Sequence, residues 1–406
     1  MIHGGIGMEV LVVNAGSSSL KYQLINMDTE ETTAKGLIER IGIEGSKLTQ
    51  TAGEKKMVLE APMHNHIDAS AYMLKALTDK TVGVVKDMAE IQAVGHRVVQ
   101  GGEKFSASVV IDDTVLQEIE ANIPLAPLHN PANLMGIKAC QQVMPGTPMV
   151  AVFDTAFHQT MPPKAFLYGV PMDYYRRLKV RRYGFHGTSH SYVSARAATV
   201  LGKKPEELRI ITCHLGNGSS LAAIDRGKCV DTSMGMTPLE GLIMGTRSGN
   251  LDPAVLQYIM HSDNIDIDTL LNILNKESGF LGLSGISSDM RDVEIAAEQG
   301  NKDAQISLDM LYAGIKKYIG AYAAIMGGVD AIVFTAGIGE NGMETREYVM
   351  DGLEFLGAKI DKEKNKVRGK ERDVSTDDSK VRILVIPTNE EIMIARDTKT
   401  LIGAQG

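Results

Sequence analysis

The sequence has few of the features that place a protein outside the cell or in a membrane. It contains no tryptophan and only 3 cysteines, Cys140, Cys213 and Cys229, in 406 residues. They form no Cys-x-x-Cys pair and would leave one thiol unpaired, which indicates a reducing compartment. No apolar run approaches the roughly 20 residues that a membrane-spanning helix needs, and no signal-peptide pattern opens the chain. We therefore expect a cytoplasmic protein that does not enter a membrane.

Excess positive charge is also lacking. Lys and Arg total 42 against 50 Asp and Glu, which gives a formal net charge of -8 at pH 7. Without a basic surface the protein should bind neither nucleic acid nor an anionic membrane. An anionic substrate must therefore be held by a few local groups. A chain of 406 residues, 44% of them hydrophobic, is ordinary globular material of a length that favours two domains.

Two common nucleotide-binding motifs are missing. The chain has no Gly-x-x-x-x-Gly-Lys-Ser/Thr string, which excludes a P-loop, and neither His-Arg-Asp nor Asp-Phe-Gly, which excludes the protein-kinase fold. Residues 337–342, Gly-Ile-Gly-Glu-Asn-Gly, follow an apolar strand and have Asp361 about twenty residues on, as in a Rossmann fingerprint. A Rossmann fold would leave two other glycine-containing turns, at residues 14–19 and 214–220, without a role. We therefore favour a strand-turn-helix element that contacts an adenosine moiety.

Those two turns lie in passages of similar pattern, residues 9–24 and residues 209–224. Each predicts a strand, a small polar turn (14–19 or 214–220) and a second strand. The repeat indicates a duplicated domain, and we expect the two turns to face each other across a phosphate site. In the first turn, backbone N–H groups, hydroxyls and a cation suit phosphate, so we predict that Ser17, Ser19 and Lys21 bind it. Taken by itself, the first passage could equally be an ordinary serine-rich hairpin turn without a phosphate-binding role.

Helical segments separate the apolar strands along the chain, which predicts an α/β fold. The predicted helices are 69–77, 112–121, 131–143, 190–201, 253–260 and 303–326, with a last one after 387–391, and the predicted further strands are 149–153, 331–335 and 381–386. The domain boundary should fall within 155–163. We predict an N-terminal domain of residues 1–156 plus 392–406 and a C-terminal nucleotide-binding domain of residues 157–391, with residues 1–7 as an extension before Met8.

Three charged residues lie where open α/β proteins carry function. Arg97 and Arg247 are in glycine-flanked segments, and an arginine fork suits carboxylate or phosphoryl oxygens. Asp154 ends a strand, where functional carboxylates are common in such sheets. Two solvated arginines and a capping aspartate remain the simpler alternatives.

Two histidines stand four residues apart in a glycine-rich segment. The i, i+4 spacing of His186 and His190 could seat a metal, but no cysteine or further histidine is in sequence reach. We expect His190 to cap or pack beside the following helix. The glycines on both sides of Phe185 and His186 indicate a backbone bent to aim one imidazole into a cleft.

From Met8 essentially to the end, the chain resembles the acetokinase family. Residues 14–21, Asn-Ala-Gly-Ser-Ser-Ser-Leu-Lys, resemble its first signature. Residues 154–158, Asp-Thr-Ala-Phe-His, and 184–190, Gly-Phe-His-Gly-Thr-Ser-His, resemble its second. Residues 335–341 and 387–391 also match family strings. The resemblance implies Mg²⁺-dependent, reversible, direct in-line transfer of the γ-phosphoryl group of ATP to acetate, giving acetyl phosphate and ADP.

The resemblance also implies the fold of sugar kinases, actin and heat-shock ATPases: two similar ribonuclease H-like domains, hinged over a nucleotide cleft, in a homodimer. It assigns Mg²⁺, which Mn²⁺ can replace, to Asn14 and Glu390. It makes Asp154, His186 and Arg247 catalytic, and places acetate against Arg97, Val99, Leu128, Phe185 and Pro238. The implied ATP contacts are His214, Leu215, Gly216, Asn217, Gly218, Asp289, Met290, Arg291, Gly337, Ile338, Gly339, Glu340 and Asn341.

The chemistry of the implied reaction constrains these roles. An ionised carboxylate is already a competent nucleophile, so positioning and charge neutralisation must do most of the catalysis. We therefore expect Asp154 to orient a metal-bound water or Arg97 rather than to accept a proton. A kinase of propionate or butyrate, and a non-catalytic ATP-driven switch module, remain alternatives. Two arginines and a histidine on the γ-phosphate side favour transfer to a small molecule.

Overall fold

A computed structural model describes residues 7–404 of the chain. The extension expected at residues 1–7 lies outside the described residues apart from Gly7. Within that part the chain forms two compact units, residues 7–156 with 389–404 and residues 157–388. The second boundary falls at 388/389 rather than 391/392, because the C-terminal helix packs on the sheet of the first unit.

The first unit is built on an eight-stranded sheet. Its strands are β1 (Glu9–Ala15), β2 (Ser19–Asn26), β3 (Glu31–Glu39), β4 (Lys47–Ala52), β5 (Lys55–Glu60), β6 (Ile91–Val98), β7 (Val109–Val110) and β8 (Met149–Phe153). The order is β5-β4-β3-β2-β1-β6-β8-β7. Strands β1 to β5 form an antiparallel meander, whereas β6 runs parallel to β1 and β8 runs parallel to β6.

Helices α1 (His66–Leu77), α2 (Asp113–Ala121) and α3 (Asn130–Val143) belong to the same unit. The side chain of Asn65 caps α1 by accepting from the N–H groups of Ile67 and Asp68. Apolar residues of α1 and α3 form one core with the inner faces of β1 to β4. Because β1, β6 and β8 run parallel to one another, their carboxyl ends lie at the same edge of the sheet.

The second unit contains a six-stranded sheet and most of the helices. Its strands are β9 (Arg209–Leu215), β10 (Ser219–Asp225), β11 (Lys228–Thr232), β12 (Ala331–Thr335), β13 (Arg372–Asp373) and β14 (Arg382–Val385). Its helices are α4 (Pro163–Phe166), α5 (Met172–Leu178), α6 (Gly187–Val200), α7 (Pro253–Asp263), α8 (Ile267–Lys276), α9 (Gly279–Ser284), α10 (Met290–Glu298), α11 (Lys302–Met326), α12 (Ala336–Asn341) and α13 (Met343–Met350), and α14 (Glu390–Gly403) returns to the first unit. Short 3₁₀ turns occupy Met88–Glu90, Ile123–Leu125, Ala156–Thr160, Pro205–Glu207 and Glu354–Leu356.

Five strands of each sheet have the same topology. The order β3-β2-β1-β6-β8 of the first recurs as β11-β10-β9-β12-β14 in the second. In both, three antiparallel strands are followed by two that run parallel to the first strand. The duplication predicted from the two hairpin passages is therefore confirmed, and so is the α/β fold class.

Element boundaries follow local capping chemistry. Strands β8 and β12 begin and end where the sequence predicts. Helix α6 begins at Gly187, three positions before the predicted start, directly after His186 in the left-handed region (φ 56°). Helix α14 begins after Asn389, whose side chain accepts from the N–H of Ile392. In the part of the chain that the structure describes, no helix is long and apolar enough to cross a bilayer.

Candidate active site

The turn between β1 and β2 is closed by its own backbone. The N–H of Gly16 donates to the carbonyl of Ser19 over 2.8 Å, and His66 Nε2 lies 2.7 Å from the carbonyl oxygen of Gly16. A Cβ on Gly16 would lie 2.8 Å from Ser19 Oγ, so a larger residue would displace that hydroxyl. Ser17 and Lys21 are exposed next to this turn. The predicted phosphate-binding groups are thus accessible, and His66, which sequence analysis missed, anchors their loop.

Arg97 and Asp154 meet at the carboxyl ends of two neighbouring strands. Arg97 Nε and Nη2 donate to the two carboxylate oxygens of Asp154 over 2.9 and 2.6 Å. The carboxylate is 2% exposed and the arginine side chain 24% exposed. The charge of Asp154 raises the pKa of Arg97, against the opposing effect of burial. The pair is therefore a fixed bidentate fork, and part of the arginine side chain remains open to solvent.

The first turn of α14 adds further carboxylates to this edge. Burial raises the pKa of Glu390, and the negative charges of Asp154 and Glu391 add to the effect while Arg97 opposes it. Asn14, Lys21 and Glu391 line one cavity of about 280 Å³. Ionisation of all three carboxyl groups beside the single charge of Arg97 would be favoured by a bound cation.

The loop after β6 is held by two buried asparagines of α3. Asn133 Oδ1 accepts from the N–H of Val99 over 3.0 Å, while Asn133 Nδ2 donates to the carbonyl of Ala15 over 2.9 Å. Asn130 bonds the backbone of Gln100 through both its amide oxygen and its amide nitrogen. The loop that carries Val99 is thereby tied to the end of β1. Asn130 and Asn133 stand three positions apart on an otherwise apolar helix face, and this pattern could have indicated from the sequence that they bond to buried backbone groups.

The predicted acetate residues differ in exposure. Val99 is 6% exposed and Phe185 2% exposed, whereas Leu128, in the loop before α3, is 61% exposed. Pro238 is partly buried in the second unit, and its carbonyl accepts from Arg247 Nη1 over 3.2 Å. Val99 and Leu128 belong to the first unit, and Phe185 and Pro238 to the second.

The backbone before α6 is bent twice, as the glycine pattern predicts. Gly184 and His186 both have positive φ, 75° and 56°. A Cβ on Gly184 would lie 2.3 Å from Thr232 Cγ2, so only glycine fits there. The His186 ring stacks on that of His214, with centroids 4.1 Å apart, and its Nδ1 lies 2.9 Å from Ser220 Oγ. His190 is a buried residue of the first turn of α6, close to the expectation that it packs beside this helix.

His186 and Arg247 converge on the turn between β9 and β10. A Cβ on Gly218 would lie 3.4 Å from His186 Nε2 and 3.5 Å from Arg247 Nη1. Burial lowers the pKa of Arg247, which donates only to a carbonyl and to the sulfur of Met244 and has no ion-pair partner among residues 7–404. A desolvated guanidinium without a counter-ion, next to an imidazole and a glycine turn, is suited to an anion.

A cavity of about 530 Å³ in the second unit collects most of the predicted ATP contacts. Those that line it are Gly216, Asn217, Asp289, Met290, Arg291, Gly337, Ile338 and Asn341. Gly342, the last residue of the string 337–342, also lines it, and the lining residues that were not predicted are Gly245, Phe280, Ser288, Glu294, Glu344 and Arg368. The volume is typical of a small-ligand site. The remaining predicted contacts, His214, Leu215, Gly218, Gly339 and Glu340, lie outside its lining, with the Leu215 side chain in the hydrophobic core.

Helix termini and close backbone approaches shape this cavity. Asp289 caps α10 and pairs with Arg291, whose hydrogen bond lowers the pKa of Asp289 to about 2. At the start of α12, Ala336 has φ 63°, a conformation rare for residues other than glycine. A Cβ on Gly245 would lie 2.0 Å from Asn217 Oδ1 and 2.9 Å from the carbonyl of Ser288. Gly245 therefore lets two walls of the cavity approach each other.

Arg346 supports the same cavity from within the core. It is fully buried and donates to the carbonyl of Gly339 over 2.8 Å, to Asn365 Oδ1 over 2.7 Å, and to the carbonyls of Asn365 and Val367. Burial lowers its pKa to about 10. Arg346 thus fixes the glycine turn of α12 without contacting solvent.

We expect Arg346→Met to lower the free energy of unfolding by about 2–5 kcal/mol, because several buried carbonyls lose their donor. Chemical denaturation would measure the loss, and an increased KM for ATP would report the loosened turn. The matched control is Arg196→Met, since Arg196 forms an exposed ion pair with Glu371 whose loss should cost under about 1 kcal/mol. Equal losses in both variants would contradict the structural role of Arg346.

The duplicated sheets, the glycine turns and the cavity beside an unpaired arginine define a kinase of the duplicated α/β class. The model of the acetokinase family matches residues 9–396, and the chain belongs to that family. It is 60% identical to a protein of Thermoanaerobacter pseudethanolicus named acetate kinase, over 97% of this chain and 99% of that one.

The chain is also similar to solved structures over nearly its whole length. The chain is similar to the crystal structure of Porphyromonas gingivalis acetate kinase, with a TM-score of 0.95, 50% identity and coverage of 98% of this chain and 100% of that one. It is also similar to the structure of a propionate kinase from Francisella tularensis, with a TM-score of 0.91, 42% identity and coverage of 97% and 100%.

Proposed function

We propose that the chain transfers the γ-phosphoryl group of ATP reversibly to the carboxylate of acetate, giving acetyl phosphate and ADP. The observation that carries the proposal is the convergence of His186 and Arg247 on Gly218, in the unit that holds the nucleotide-sized cavity. The named relatives support acetate as the acceptor, and the acetate kinase structure has the higher identity of the two solved structures. The same relatives argue against a non-catalytic switch module.

In the proposed reaction an acetate oxygen attacks the γ-phosphorus in line and ADP leaves. The nucleophile is already ionised, so the protein must bring two anions together and compensate the charge that spreads over the phosphoryl oxygens. Arg247 and His186 donate to those oxygens, and Arg97, held by Asp154, binds the carboxylate end of acetate. Ser17, Ser19 and Lys21 hold phosphate oxygens on the first unit, and the lining residues of the second unit hold the nucleotide. Asp154 acts through Arg97 and accepts no proton.

Mg²⁺ is the proposed metal, with Asn14 and Glu390 as its protein ligands and Mn²⁺ as a substitute. An amide oxygen and a carboxylate are suitable hard donors, and the excess of carboxylates near Arg97 supports a cation there. No group of three or more His, Cys, Asp or Glu side chains in the described part of the chain could hold a metal alone. Two protein ligands fit Mg²⁺, which keeps waters and binds substrate phosphates. When bound it would neutralise phosphate charge.

We expect Glu390→Gln to raise the Mg²⁺ concentration needed for half-maximal activity by about tenfold or more, because an amide is a weaker ligand than a carboxylate. Magnesium titrations at saturating ATP and acetate would measure it. Glu391→Gln is the matched control, since it removes the same charge one position along α14. If both variants shift the requirement equally, Glu390 is not a specific ligand.

We propose that Val99, Leu128, Phe185 and Pro238 surround the acetate methyl group. The backbone of Val99 is fixed by Asn133, which favours a rigid wall on that side. One methylene in a hydrophobic pocket is typically worth about 1–3 kcal/mol, so acetate should be preferred to propionate by tens of fold, and butyrate should react poorly.

Val99→Ala should raise the KM for acetate and improve propionate relative to acetate, because it removes methyl contacts and makes room. The turnover number should change less, since the phosphoryl-binding groups are untouched. Rates with both acids would give the selectivity ratio, with Val98→Ala, a buried neighbour on the adjacent position of β6, as the control for packing loss. An unchanged ratio in Val99→Ala would remove Val99 from the acyl pocket.

The proposed function is tested by a hydroxamate assay with ATP, Mg²⁺ and acetate, propionate or butyrate. Acyl phosphate should form with acetate in preference to the longer acids. A preference for butyrate would assign the enzyme to a different acid, and ATP turnover without acyl phosphate would indicate a switch module.

We also propose that the enzyme is a cytoplasmic homodimer. The family resemblance supports the dimer, and sedimentation equilibrium would give the mass of the assembly. All three cysteines are buried and unpaired, which supports a reducing compartment.

A further inference from the structure

A row of hydrogen-bonded side chains leads from the core of the second unit to His186. Thr212 on β9, Ser220 on β10 and His190 on α6 are each fully buried. His186 Nδ1 lies 2.9 Å from Ser220 Oγ, and His190 Nε2 lies 2.8 Å from the same oxygen. His190 Nδ1 lies 2.7 Å from Thr212 Oγ1. The order of the row is therefore Thr212, His190, Ser220, His186.

Each member of the row can supply a limited number of hydrogens. Burial lowers the pKa of His190 well below its usual value, and the neighbouring His158 and His214 add to the effect, so His190 is neutral and carries one N–H. Each hydroxyl carries one O–H. Ser220 Oγ has only His186 and His190 as partners within residues 7–404, so its hydrogen lies in one of these two bonds. The donors then point along the row in one direction, either from Thr212 towards His186 or from His186 towards Thr212.

The environment of Thr212 selects between these directions. Its hydroxyl bonds only to His190 within residues 7–404, and the residue is 0% exposed. If the donors pointed towards Thr212, its own hydrogen would have no acceptor in the core, which is costly. If Thr212 donates to His190 Nδ1, then His190 Nε2–H donates to Ser220, and Ser220 donates to His186 Nδ1. The hydrogens of Thr212, His190 and Ser220 are then all paired.

We propose that Thr212, His190 and Ser220 are positioning residues that hold neutral His186 as the tautomer with its proton on Nε2. That nitrogen faces Gly218 and the guanidinium of Arg247, where a Cβ on Gly218 would lie 3.4 Å from it. A prearranged Nε2–H is a donor for charge that develops on the phosphoryl oxygens, whereas the other tautomer would present a lone pair. The inference rests on the proposed role of His186 in phosphoryl transfer.

The tautomer can be observed directly by long-range ¹H–¹⁵N NMR of full-length protein labelled at histidine nitrogens. The His186 signals are assigned by their disappearance in His186→Asn. The wild-type protein should show a protonated Nε2 and an unprotonated Nδ1. Ser220→Ala removes the donor to Nδ1 and should give a mixture of tautomers. Thr212→Val removes the first donor with little change of shape and should also give a mixture of His186 tautomers. Thr212→Ser keeps the hydroxyl, so His186 should remain protonated on Nε2.

Steady-state kinetics on the same variants measure the consequence. In Ser220→Ala, kcat should fall by about 10- to 100-fold, up to the loss expected for one charge-stabilising donor, with the KM values for ATP and acetate within about twofold. Thr212→Val should lower kcat less, and Thr212→Ser should recover most of that loss. Thermal unfolding of each variant separates this effect from lost folded protein. Reduced stability with an unchanged tautomer and unchanged kcat would overturn the proposal.

Failure of the inference can be distinguished from failure of the proposed function. If His186 of the wild-type protein is protonated on Nδ1, the proposed donor direction from Thr212 to His186 is wrong, whether or not the protein forms acyl phosphate. A changed tautomer in Ser220→Ala with kcat unchanged would show that His186 is not a donor in transfer. Acyl phosphate synthesis by His186→Ala at the wild-type rate would overturn that role as well.

Discussion

Arg247→Ala should lower kcat by about a thousandfold or more while leaving the protein folded. The guanidinium is desolvated and has no ion-pair partner in the described part of the chain, so its removal leaves no buried charge behind. Arginine contacts to a transferring phosphoryl group are worth roughly 10³ to 10⁵ in rate. Arg247→Lys should recover only part of the loss, since an ammonium lacks the planar fork. The hydroxamate assay at saturating substrates would give kcat.

The control for Arg247→Ala is Arg196→Ala on the surface of the same unit, where Arg196 pairs with Glu371. That variant should keep its turnover because it contacts neither the cavity nor the Gly218 turn. Wild-type turnover in Arg247→Ala would remove the arginine from the site and with it the main support for the proposed phosphoryl position.

Arg97→Ala should both lower kcat/KM for acetate by about 100- to 1,000-fold and destabilise the protein. Asp154 is 2% exposed and bonds Arg97 through both oxygens, so loss of the arginine leaves a buried carboxylate unpaired, at a cost of about 3–5 kcal/mol. The double variant Arg97→Ala/Asp154→Ala should recover much of the stability and none of the activity. Denaturation and acetate kinetics on both variants would separate the two effects.

A variant of the Arg97–Asp154 pair also tests how Asp154 acts. If Asp154 works by orienting Arg97, Asp154→Asn should raise the KM for acetate and leave the Mg²⁺ requirement close to that of the wild-type protein. A shifted Mg²⁺ requirement would instead favour orientation of a metal-bound water. A wild-type KM for acetate in Arg97→Ala would contradict the assignment of Arg97 to the carboxylate.

The sequence predicts those features that depend on local pattern. The strands β8 and β12, the two polar turns and the glycine-bent backbone at His186 all follow from period, glycine and capping residues within a few positions. The repeat of the hairpin passages predicts the duplicated sheet. Most cavity-lining residues follow from glycine and helix-start strings. These features are encoded by neighbours in sequence.

Other features depend on residues that only the tertiary structure brings together. Arg346 reads as a surface arginine of a polar helix, yet it is buried because the backbone at Gly339, Asn365 and Val367 offers it carbonyl acceptors. Asn133 joins two loops from separate strands in the same way. Thr212 and its partners come from three separate elements. A buried polar residue is stable only when its partners are present, and no local pattern identifies those partners.

The most direct test of the account is ³¹P NMR of the purified protein with ATP, Mg²⁺ and acetate carrying ¹⁸O in its carboxylate. Attack by the carboxylate on the γ-phosphorus predicts ADP and acetyl phosphate in equal amounts, with the ¹⁸O isotope shift of a labelled bridging oxygen on the acetyl phosphate signal. The signal should be absent with Arg247→Ala over the same time. ADP with unlabelled inorganic phosphate and no acetyl phosphate would contradict the proposal that this chain phosphorylates acetate.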